Sequence, residues 1–507
     1  MILNLFSSKP EHPLGDPKEL KKALQELPQG NSLKATEEVY AWLESLQTTN
    51  DFRVDHLFDI VKQLDEAAQA HLRRVSRDYL NSPRLSKSEE RRLWSVCYNY
   101  WGEVSSLYAR CLERARQNPK DKGSEAFKPY FALAATRLVA ARASQLKWVE
   151  FRYGPIGEDL WRGLGQPYLA AVAGGYADKP VPIYPTATGL TSASQQYQQA
   201  LIFHASSMDS LMPLEIELAD RIIDHFHAAF VFSENCQSDS VYWIDVASGQ
   251  PPTRLARHPA GAPAELRFFS PGTAPASLNE LIRTVERGEV PPDLNLGGEY
   301  PAKVVLPVLR HLATYWAPTP PQREHARHAV KTRIAVLQGF SDSFTIFAGN
   351  IARLGKEHSA ESWVVEDVSL GGFGAAIAEI GDSLKIGALL CLQPEGGDNW
   401  VLGIIRRFSK VSEARANVGI QTLSRKAFGI ELRPRTSGFS ATGAIPGLWL
   451  YEKDLPGECR IVMPVTSFDL RENLEFMHND RRYLLTPVEL EESGVDFEIG
   501  RYHGQAD

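Results

Sequence analysis

Two short runs carry residue types that recognise phosphates and purine edges: Arg323-Glu-His-Ala-Arg327, and Asp367-Val-Ser369-Leu-Gly-Gly372, which begins 40 positions beyond Arg327 (367 minus 327). A guanidinium fork pairs bidentately with a guanine O6/N7 edge or with phosphate oxygens, which the point charge of lysine does less well. Asp367 is an acceptor-only carboxylate suited to the ring N–H and exocyclic amine of guanine, and Ser369 adds a rotatable hydroxyl. Gly372, after Gly371, lets the backbone turn sharply and approach a ligand with no Cβ in the way. The set fits binding of guanine and phosphate groups.

These residues need a scaffold, and the chain changes texture on its way to one. Residues 1–235 read mainly as helix. Ser86-Lys-Ser-Glu89 is a capping box, followed by Leu93, Cys97, Trp101, Val104, Tyr108 and Cys111 at helical spacing. A second helix is expected over Leu214–Phe230. Residues 236–316 mix strand and helix signals, and form either a small domain or the end of the N-terminal one. Ala317-Pro-Thr-Pro-Pro-Gln322 cannot continue a helix and marks a hinge.

Beyond the hinge, β-type segments are expected at Arg333–Phe340, Ser343–Ala348, Trp363–Val368, Phe373–Ile380, Ala388–Leu392, Trp400–Phe408 and Ala416–Leu423. This pattern predicts a small antiparallel barrel within residues 317–435. Residues 436–507 continue as a β-rich C-terminal extension, either a second β unit or a continuation of the first. The predicted class is multidomain α+β. No internal repeat is evident by inspection.

The two runs, their order, the hinge before Arg323 and the strands around Asp367 resemble a PilZ domain. Trp400-Val-Leu-Gly-Ile-Ile-Arg-Arg and Asn417-Val-Gly-Ile-Gln are similar to its late strands. The resemblance covers about a fifth of the chain, and nothing equally recognisable covers residues 1–316 or the tail after Arg435. It implies a cytoplasmic receptor for the bacterial second messenger cyclic di-GMP, with no cofactor and no catalytic residue. Arg323 and Arg327 would clamp the nucleotide from the linker against a wall formed by Asp367, Ser369 and Gly372. Binding would rearrange the barrel and the helical region, which is where a protein partner would engage.

Other readings of the same residues stay open. The arginine pair could use Arg327 with Lys331 or Arg333, and Asp-x-Ser-x-x-Gly also suits a plain hairpin turn. A PilZ-like adaptor without nucleotide, or an enzyme seated in residues 1–316, are the rival functions. Arg73-Arg-Val-Ser-Arg77 repeats the arginine spacing but falls in helical sequence, where a solvated basic face is expected.

Composition narrows the field further. The chain has 507 residues, 43% hydrophobic and 23% charged, and a formal charge of -7, which disfavours tracking along DNA or RNA. Its five cysteines lack metal-ligand spacing, and His225-Phe-His227 points two ways on a helix, so no metal site is expected. The start Met-Ile-Leu-Asn-Leu-Phe is too short for a signal peptide, and no stretch is long and apolar enough to span a membrane.

Overall fold

The computed structural model describes residues 11–82, 85–257, 259, 265–319, 326–349, 360–380, 384–435, 443–451 and 457–506. They form two compact units. One is built from residues up to 319, and the other from residue 326 onward together with Tyr153–Pro155 and Asp209–Met212. The architecture is multidomain α+β, helical first and β-rich second.

In the first unit the helix Lys87–Gln117 starts at the Ser86–Glu89 capping box, with both reciprocal bonds present. Leu93, Cys97, Val104, Tyr108 and Cys111 are buried on it as expected, while Tyr100 takes the buried place and Trp101 stays half-exposed. The reason is polar: Asp65, buried on the helix Val54–Asn81, accepts the hydroxyls of Tyr100 at 2.7 Å and Tyr108 at 2.8 Å. Arg137, also buried, donates to Tyr108 and to Glu66, so this interior charge is paired. The helix expected over Leu214–Phe230 runs from Pro213 to Phe226. Four strands, β1 (Val231–Ser233), β2 (Tyr242–Asp245), β3 (Thr253–Arg254) and β4 (Leu266–Ser270), form a sheet in the order β1-β4-β2-β3.

The second unit holds two closed barrels. The first comprises β5 (His328–Gln338), β6 (Glu361–Ser369), β7 (Gly372–Ile377), β8 (Leu389–Pro394), β9 (Val401–Lys410) and β10 (Ala416–Ser424). The second comprises β11 (Ala427–Pro434), β12 (Ile445–Leu450), β13 (Glu458–Pro464), β14 (Leu474–His478), β15 (Arg481–Ser493) and β16 (Phe497–Ala506). β11 pairs with β12 and β14, so it belongs to the second barrel although the boundary drawn at 435 falls after it. Leu389, Leu402 and Ile404 of the first barrel share one apolar cluster with Leu448, Val462, Phe497 and Ile499 of the second.

The segment expected as a strand at Ser343–Ala348 is instead helical, within Phe340–Phe347. Gly339, at φ 92°, turns the chain out of β5, and Asp496 accepts the N–H of Phe340 at 2.6 Å. Phe340, Phe344 and Phe347, spaced i, i+4, i+7, then meet the apolar cluster shared by the barrels. Aromatic residues favour strands, and tertiary burial overrides that preference here. No described helix is long and apolar enough to cross a membrane.

Candidate ligand-binding site

The site is built on the outer wall of the first barrel by a break in strand alternation. Along β6, Trp363 and Val365 point into the core, so a regular strand would send Asp367 inward as well. Val365 pairs with Ala375 but Asp367 pairs with Gly374, leaving Glu366 as an extra residue. This bulge re-aims Asp367 outward over β7.

There Asp367 Oδ1 accepts the N–H of Gly374 at 3.0 Å and the Nη1 of Arg327 at 2.6 Å. A Cβ on Gly374 would lie 3.0 Å from both carboxylate oxygens, so this glycine makes room for Asp367. Arg327 immediately precedes β5, and the pairing of His328 with Val368 and Ala329 with Asp367 carries it to its partner. Both side chains of the ion pair are 33% exposed, and such a pair contributes about 1 kcal/mol or less. It can exchange for ligand contacts, and the bond to Arg327 uses one of the five guanidinium N–H groups.

Ser369 donates its hydroxyl to the carbonyl of Gly372 at 3.1 Å across the two-residue turn between β6 and β7. The hairpin reading of this motif therefore describes its local structure, while the hydroxyl oxygen keeps lone pairs for a ligand donor. Gly372 has a packing role besides the one its sequence suggests. A Cβ there would meet the carbonyl oxygen of Ile420 at 2.0 Å, so glycine is required by the close approach of β10.

Arg327, Asp367, Ser369, Gly372, Arg406 and Gln421 line an open cavity of about 560 Å³, within the roughly 300–1,000 Å³ of small-molecule sites. Arg323 lies outside the described residues. Lys331 and Arg333 do not line the cavity, and Arg333 donates instead to Ser362 at 3.2 Å. Arg73 and Arg77 are exposed on the helix Val54–Asn81. Among the described residues no cluster of His, Cys, Asp and Glu could hold a metal ion.

Sequence reasoning passed over Arg406, Arg407 and Gln421. Part of the signal was present: Arg406-Arg407 puts two charged residues side by side within a strand, as a bulge allows. Gly419 pairs with Arg407 and Ile420 with Ile405, so Arg406 is the extra residue.

Residues 18–237 match the family model described as "Cyclic-di-GMP receptor FimW, N-terminal domain". Over that span the chain is similar to cyclic di-GMP receptors, a receptor family and not an enzyme family. The recognisable part of the chain thus includes its helical region, which had carried no resemblance on inspection. No curated protein matches the chain.

Proposed function

We propose that this protein is a cyclic di-GMP effector whose nucleotide binds on the outer wall of the first barrel, a PilZ-like domain. The observation that carries this reading is the Arg327–Asp367 pair at the cavity, a guanidinium and a carboxylate of complementary hydrogen-bonding sense within 2.6 Å. Arg327 meets a phosphate or guanine O6/N7, and Asp367 accepts guanine N–H groups. Independent support comes from the receptor similarity of residues 18–237, a different part of the chain.

Arg323 enters through its spacing from Arg327, closing from the linker as the second arm of the clamp. Closure redirects the chain entering β5, and so couples ligand to the arrangement of the helical region or to its protein partner. The described residues of the cavity supply hydrogen-bonding and charged groups suited to binding, and the expected outcome is that the ligand is released unchanged. We place the protein in the cytoplasm, where its five free cysteines stay reduced.

Calorimetric titration of the purified chain tests the reading. Cyclic di-GMP should bind much more tightly than GMP, and should be recovered intact after long incubation. Equal affinity for the two, or accumulation of linear pGpG, overturns it.

A further inference from the structure

Arg406 is aimed by the bulge in β9 onto the outer face, where it lines the cavity with Arg327 and Asp367. Its guanidinium is gripped on two sides. Nε donates to Oε1 of Gln421 at 2.6 Å, and Nη1 and Nη2 donate to Oε1 and Oε2 of Glu492 at 2.5 and 2.7 Å. Glu492 comes from the second barrel, on β15 beside that strand's own bulge between Leu490 and Glu492. It does not line the cavity, so its carboxylate grips the guanidinium from outside.

The geometry points to a ligand site on the first barrel that the second barrel braces: Arg406 is a further contact for an anionic oxygen of the nucleotide, and Glu492 is the positioning residue that presents it. This rests on the reading that the first-barrel cavity binds cyclic di-GMP. Three of the five guanidinium N–H groups of Arg406 are engaged by Glu492 and Gln421, which leaves two for phosphate oxygens. A free arginine loses much rotamer freedom when a ligand fixes it, and Glu492 removes that cost before the ligand arrives. The second barrel thereby acts on affinity without touching the nucleotide.

The test is calorimetric titration of the full chain with cyclic di-GMP at several salt concentrations. Arg406→Gln should weaken binding about tenfold and flatten its salt dependence, as loss of one charge-assisted contact does. Glu492→Gln should weaken it about threefold to tenfold, and adding it to Arg406→Gln should weaken binding no further, because it acts through Arg406. Glu492→Asp keeps the charge one methylene back; it should fall between wild type and Glu492→Gln, and it carries the test if the glutamine variant is poorly folded. Glu491→Gln, on the same strand but paired with Arg460, should leave affinity unchanged. Unchanged affinity in the Arg406 and Glu492 variants, with loss in Arg327→Ala, overturns this inference while the ligand reading stands. Tighter binding by Glu492→Gln overturns it too, since Glu492 would then be a competitor. Absence of binding by the wild-type chain overturns both.

Discussion

Read around their circumference, the first barrel runs β5-β6-β7-β10-β9-β8 and the second β11-β12-β13-β16-β15-β14, which is one strand order used twice. Both carry a bulge at matching places, in β9 where it meets β10 and in β15 where it meets β16. The matching outer faces differ in what stands on them. In the first barrel Gly372, Gly374 and Ala376 of β7 lie opposite Gln421, Gly419 and Asn417 of β10. In the second, Glu458, Arg460 and Val462 of β13 lie opposite His503, Arg501 and Ile499 of β16. Arg460 pairs there with Glu491 at 2.5 Å and Arg501 with Glu489 at 2.8 Å, so long side chains pair across the wall. Topology fixes where a face lies, and side-chain volume decides whether a ligand reaches the backbone beneath it.

The contrast can be broken by transplanting one face onto the other. Gly374→Arg gives the first barrel the residue that Arg460 is to the second, and its Cβ alone would press on Asp367. Cyclic di-GMP binding should weaken at least about 100-fold, or roughly 2.7 kcal/mol, with the far-UV circular dichroism unchanged. Retained affinity would mean that the outer wall is not the site. Arg327→Ala comes next, with an expected loss of about 1–3 kcal/mol by titration, whereas Arg460→Ala in the second barrel should change affinity by nothing measurable.

Stability sharpens the same comparison. Gly372→Ala drives a Cβ onto the Ile420 carbonyl and should destabilise the second unit by about 1–3 kcal/mol in urea unfolding. Glu458→Ala, at the matching place in the second barrel, removes only a loose 3.8 Å ion pair to Arg501 and should cost less than about 1 kcal/mol. Equal losses at the two positions would show that the barrels do not differ in how closely their strands approach.

Much of this was legible beforehand. The Ser86–Glu89 capping box and the alternation of apolar residues beyond residue 326 are local signals, and local signals can be read from one sequence. The Asp-x-Ser-x-x-Gly run was legible as a motif, but the reason Asp367 faces outward was not, because a bulge at Glu366 is set by cross-strand register. The same blindness hid Arg406. Gly372 also makes room for a neighbouring strand, a need that depends on β10 arriving from nearly fifty residues away (420 minus 372) and is not legible locally. The repeated barrel escaped inspection because equal topology demands matching inward alternation and not matching residues. The helix Phe340–Phe347 was misread for a related reason, since its aromatic residues answer to a core assembled from both barrels.

Hydrogen exchange of the full chain with and without cyclic di-GMP tests the central claim most directly, because it locates the ligand without any substitution. Amides of Val365–Ile377 on β6 and β7 and of Asn417–Gln421 on β10 should be protected on ligand addition, while Glu458–Val462 on β13 and Arg501–His503 on β16 should exchange unchanged. Protection confined to the second barrel's matching face, or to the helical residues 18–237 alone, would contradict the account.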